Sequence, residues 1–136
     1  MPEIVVSHLL GDQFEVAVRG HRLRVDQPLA DGGQDSAPTP TELFVSSLVA
    51  CVAFYARRYL ARHRLPADGL RAEADFGFAA RPNRVEEITI RLRVPHGVPE
   101  DRWPALLAVA SHCTVQSSLE TPPAVDIALE AAEKAA

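Results

Sequence analysis

Cysteine is scarce in this 136-residue chain: Cys51 and Cys113 stand alone and far apart. Two thiols cannot make a disulfide scaffold, and no Cys-x-x-Cys pair suggests zinc or a thioredoxin-like centre. Lysine is nearly absent, with Lys134 the single example. The 14 basic residues are outweighed by 18 acidic ones, for a net charge of −4. The arginines are scattered, so the basic footprint of a nucleic-acid binder is missing. The five histidines (8, 21, 63, 96 and 112) form no ligand spacing, and no metal is expected. No unbroken apolar run reaches the roughly 20 residues of a membrane span. Met1-Pro2-Glu3 lacks the basic and apolar segments of a signal peptide, so the expected compartment is the cytoplasm and no membrane contact is expected.

What is present suits one globular domain over residues 1–136. Apolar residues make up 47% and charged residues 24%, which allows a real core without disulfide staples. Three short segments open the chain. Glu3 to Leu10 leads into Gly11-Asp12, a hairpin signal. Phe14, Val16 and Val18 alternate with polar neighbours, as do Leu23 and Val25 after Gly20. This pattern predicts a three-stranded antiparallel meander. Gln27 to Thr39 is a loop by its proline, glycine and serine content, and loops this long are commonly functional.

A clear helix start follows. Thr39 is placed as N-cap, Pro40 as the first helical residue and Glu42 at the third, where threonine and glutamate can satisfy each other's amides. The helix is predicted to run to about Arg64, before Pro66. Leu43 to Ala56 carries no charge, the mark of a helix covered nearly all round. Leu70 to Phe78 and Ile88 to Val94 alternate as a second hairpin turning at Arg81-Pro82-Asn83-Arg84. A helix is expected over about Pro99–Ser111, a short one over Thr114–Leu119, and a last strand over Val125–Leu129. So few strands cannot enclose a helix apolar on all sides, and a second chain is expected to cover part of it.

Cys51 sits in the middle of the first helix, one turn from Ser47 and from Tyr55. Alone it reads as a small hydrophobe in a helix core. Cys113 falls where the short helix opens, a place where free amides favour a thiolate. Paired, the two allow redox work: a thiolate attacks a peroxide, and a second thiol captures the sulfenic acid as a disulfide. His112 beside Cys113 either lowers its pKa or satisfies carbonyls at a helix end. Phe44, Phe54, Tyr55 and Trp103 are candidates for an apolar wall or for core packing.

The segment from Pro38 to Cys51, PTPTELFVSSLVAC, closely resembles the helix-opening motif of the OsmC/Ohr family. Gly32-Gly33-Gln34-Asp35 resembles the family's glycine-rich approach, and His112 to Leu119, HCTVQSSL, its second-cysteine motif. The resemblance covers nearly the whole chain. It implies an α+β OsmC-like fold with strand order β-β-β-α-β-β-α-(α)-β. It also implies an intertwined homodimer, with antiparallel sheets wrapped around long central helices. The implied activity is reduction of organic hydroperoxides by a two-cysteine cycle, with no cofactor and with a dithiol or lipoylated protein as reductant. By motif, Cys51 is the attacking thiol and Cys113 the resolving one. Thr41 stands where the peroxidase branch has its glutamate, and Glu42 follows one position later, as either a catalytic residue or a cap. Arg22 and Arg24 are the nearest candidates for the activating cation, although Leu23 and Val25 facing the core would turn both away. The alternative is a non-enzymatic OsmC-like dimer that binds a small apolar or thiol-reactive ligand. A hot-dog thioesterase ranks lower, because only one hairpin follows the long helix.

Overall fold

A computed structural model describes residues 3–134. The meander consists of β1 (Ile4–His8), β2 (Phe14–Val18) and β3 (His21–Val25), all antiparallel in the order β1-β2-β3. Its tight two-residue turn is Arg19-Gly20, where both residues take positive φ, of 52° and 97°. That is the combination a twisted hairpin favours. The link after β1 is longer than the expected Gly11-Asp12 turn, and Leu9 and Gln13 close it by hydrogen bonds. Register puts Ile4 opposite Val18, Val6 opposite Val16, and Val16 opposite Leu23. One face of the sheet is therefore apolar, and among the described residues it is covered only at the Val25 end. Ile4 remains 59% exposed and Leu23 52%.

The loop from Gln27 to Pro38 is held by a residue that the pattern of apolar positions does not single out. Asp26 is fully buried, and its carboxylate accepts from the amides of Gln27 (2.8 Å), Gln34 (3.2 Å) and Ser36 (3.0 Å). The Ser36 hydroxyl donates a fourth bond, at 2.7 Å. These donors, the Ser36 hydroxyl foremost, hold the Asp26 pKa down at about 2. Gly33 is required in this fold-back, because a Cβ there would lie 2.0 Å from the Gln27 carbonyl oxygen.

Helix α1 (Pro40–Arg62) begins with the expected capping box. Thr39 Oγ1 accepts from the Glu42 amide at 3.0 Å, while Glu42 Oε1 accepts from the Thr39 amide at 2.9 Å. It ends two residues before the expected Arg64. By length and composition α1 is apolar enough to cross a bilayer, more so than its unbroken apolar run suggests. It is instead the core helix of the chain. Ala56, Tyr59 and Leu60 pack with Val98, Leu106 and Ala110 in the main buried cluster. The covering is incomplete, however: Phe54 stays 52% exposed, and Phe44, beside the hairpin, 44%.

Strands β4 (Arg71–Ala79) and β5 (Arg84–Arg93) form a two-stranded antiparallel sheet. Ala72, Ala74 and Phe76 face Leu92, Ile90 and Ile88, and this apolar face meets α1. The other face carries Arg71, Glu73, Asp75, Arg91 and Arg93, which pair with one another. Helix α2 (Trp103–Ala110) follows a 3-10 turn at Glu100–Arg102, which places Pro104 in the first turn, where proline is tolerated. Helix α3 (Thr114–Glu120) has Cys113 as its N-cap.

The last strand is a correction. Residues 122–134 form neither helix nor strand, and Ile127 and Leu129 are 86% and 97% exposed. The alternating pattern is there, but a strand exists only through ladder bonds to a neighbour, and among the described residues no strand pairs with the segment.

Candidate active site

The helix and the second-cysteine segment bring the two thiols together. Cys51 lies half-buried on α1, and Cys113 is fully buried where the chain turns into α3. Both are free thiols. The Cys113 Sγ accepts from the Gln116 amide at 3.4 Å, the bond expected of an N-cap side chain. Burial pushes the Cys113 pKa above the ordinary thiol value. The Gln116 amide opposes that shift, while the adjoining Cys51 thiol adds to it through a hydrogen bond and through charge repulsion. Cys113 is thus kept as a neutral, shielded thiol beside a more accessible one.

Around the sulfurs, Tyr55 reaches from α1 to α3 and shares a 2.7 Å hydrogen bond with the Thr114 hydroxyl. Its ring meets Phe54 edge-on with centroids 5.8 Å apart, and the Arg58 guanidinium stacks 5.5 Å above the Phe54 ring. His112 turns away from the thiols. Its Nδ1–H donates to the Ala108 carbonyl at 2.6 Å, so it caps the end of α2.

The other sequence candidates are not gathered here. Glu42 is occupied in the capping box at the start of α1. Arg22 is ion-paired with Glu15 on the polar face of the meander, and Arg24 is exposed on that same face. Among the described residues, Glu42 and Arg24 make no ion pair. Trp103 belongs to a different cleft, with Leu92, Val94 and Leu107, and its Nε1–H donates to the Val98 carbonyl at 3.4 Å.

Two open grooves flank α1. One, of about 440 Å³, lies between Val45, Val49 and Ala53 and the apolar face of β4. The other, of about 350 Å³, is lined by Phe44, Leu48 and Ile88 with Gln116 and Leu119 of α3. Among the described residues, no cluster of histidine, cysteine and carboxylate side chains suits a metal.

Two antiparallel sheets, a long capped helix and a two-thiol centre between that helix and α3 define an α+β protein of the OsmC type. The family model described as OsmC-like protein matches residues 33–128, and the chain belongs to this family. Among curated proteins, none matches. Solved structures share the fold at low identity. A Psychrobacter arcticus protein assigned to the osmotic stress and detoxification response superposes with a TM-score of 0.80 at 22% identity, covering 87% of this chain and 88% of the other. An organic hydroperoxide resistance protein OsmC from Legionella pneumophila gives 0.61 at 17%, covering 85% and 88%. An OsmC-like protein from Vibrio cholerae gives 0.67 at 13%, covering 88% and 95%. One of these structural neighbours is thus named for organic hydroperoxide resistance.

Proposed function

We propose that the chain is a thiol-dependent peroxidase that reduces organic hydroperoxides by a two-cysteine cycle. The observation that carries the reading is the adjacency of a half-buried Cys51 and a fully buried Cys113. The accessible thiol meets the oxidant and the shielded one waits for the product. The Cys51 thiolate attacks the distal peroxide oxygen, so that an S–O bond forms, the O–O bond breaks and the alcohol leaves with a proton. The Cys113 sulfur then attacks the Cys51 sulfur. An S–S bond forms, the S–O bond breaks, and the hydroxyl leaves as water with the Cys113 proton. A dithiol, as on a lipoylated protein, returns two electrons and two protons and becomes the disulfide.

The working unit in this proposal is a homodimer. Three exposed apolar surfaces support it: the open part of the meander face, the Phe54 side of α1, and the Val125–Leu129 segment. The second copy is also a source of an activating cation, because Arg22 and Arg24 lie on the outer meander within one chain. The second reading, a non-enzymatic dimer that binds a small apolar or thiol-reactive ligand, draws on Glu42 being a cap and on the apolar grooves beside α1.

One equivalent of cumene hydroperoxide separates the two. The peroxidase loses both thiols, and its intact mass falls by two hydrogens. Cys51→Ser abolishes turnover, and Cys113→Ser stops at a sulfenic acid that dimedone traps. Thiols that survive the peroxide would leave the binding reading in place.

A further inference from the structure

We propose that Tyr55 and Thr114 form a clamp that holds the two sulfurs in the register needed for a disulfide, so that both are positioning residues of the two-thiol centre. The proposal rests on the redox reading of that centre. Tyr55 follows Cys51 by one helical turn on the same side of α1, and Thr114 follows Cys113 directly. Their hydroxyls meet at 2.7 Å, the usual length for an O–H···O bond. The neighbour of each cysteine is therefore bonded to the neighbour of the other.

Little else fixes α3. It is seven residues long and contains no buried side chain, and residues 122–134 add no regular structure. Cys113 itself, buried at the start of α3, and the adjoining hydroxyl bond are thus the main ties between α3 and α1. The Phe54 ring against Tyr55 restricts where the phenol can swing. In the resolving step the Cys113 sulfur must approach the Cys51 sulfur along one line, and a disulfide tolerates Cα separations of only about 4.4–6.8 Å. The clamp raises the effective concentration of one thiol at the other. The phenol transfers no proton in this step and acts by position alone.

The test equilibrates the reduced protein with dithiothreitol redox buffers and counts free thiols by alkylation and mass. Tyr55→Phe and Thr114→Val are each expected to lower the equilibrium constant for disulfide formation about tenfold, about 30 mV for this two-electron couple. Thr114→Ser keeps the hydroxyl and restores the constant. The double variant Tyr55→Phe/Thr114→Val falls no further than either single one, as expected for partners in one bond. Wild-type constants in both single variants, or fully additive losses, overturn the clamp. If Tyr55→Phe does not fold, Thr114→Val against Thr114→Ser decides alone. Because dithiothreitol replaces peroxide, the two readings fail separately: a chain indifferent to cumene hydroperoxide but shifted in its thiol equilibrium loses the peroxidase and keeps the clamp.

Discussion

The meander β1–β3 and the hairpin β4–β5 are written in the same code and treated differently by the fold. Each alternates apolar and polar residues, and in each the register collects the apolar ones on one face. The hairpin lays that face on α1, with Leu92 packed against the core cluster. The meander leaves most of its face open, buries it only at Val25, and joins the rest through the Asp26 latch, whose amide also donates to the Pro38 carbonyl at 3.0 Å. Alternation specifies which side of a strand wants cover. It does not say which chain supplies it.

The largest effect should come from the covered region. Leu106 is fully buried against α1, and Leu106→Ala is expected to cost about 2–5 kcal/mol, measured as a lower urea midpoint. A loss below 1 kcal/mol would mean that the helix–hairpin body is not the stable unit.

Leu23→Asp sharpens the contrast from the other side. If a second copy covers the meander, this change removes roughly 1.5–3 kcal/mol of burial per copy and adds a charge, so the dimer should dissociate at least tenfold more readily. Sedimentation of wild type and variant measures it. An unchanged oligomeric state would leave the meander as a free surface.

Smaller effects concern pH at the two junctions. The Asp26 pKa is lowered to about 2 from 3.8, so its contribution to stability is complete above pH 4 and is lost as pH falls towards 2. Protection of the Gln34 and Ser36 amides, measured as exchange relative to the unfolded chain at the same pH, should hold at neutral pH and be lost only in that acid window. Cys113 behaves in the opposite sense. Its raised pKa favours the neutral thiol in the folded chain, so its contribution is complete below the ordinary thiol value and is lost as pH rises above about 9. Alkylation should therefore mark Cys51 before Cys113 at neutral pH.

Much of the fold was legible because its signals are local. Thr39, Pro40 and Glu42 announce the start of α1 within four residues, and the structure makes both bonds of the capping box. The turn at Arg19-Gly20 was less visible than Gly11-Asp12, because arginine is an unusual residue at positive φ. Asp26 has no sequence signal because its donors arrive from residues eight and ten positions on, through a loop that local pattern does not specify. Val125–Leu129 carried a correct strand pattern without a strand, since pairing is a property of two segments. At the site, the cysteines were found by motif, whereas the Tyr55–Thr114 bond had no sequence signal.

From the order of its residues alone, this chain determined where all but the last of the expected helices and strands lie and which of their faces are apolar. Capping, alternation and turn chemistry act over a few neighbouring positions. Only the tertiary structure decided that Cys51 and Cys113 meet, that Asp26 fastens the loop, and that one sheet is covered while most of the other is not. Those outcomes depend on closing long stretches of chain against burial energy, and local sequence does not encode that balance.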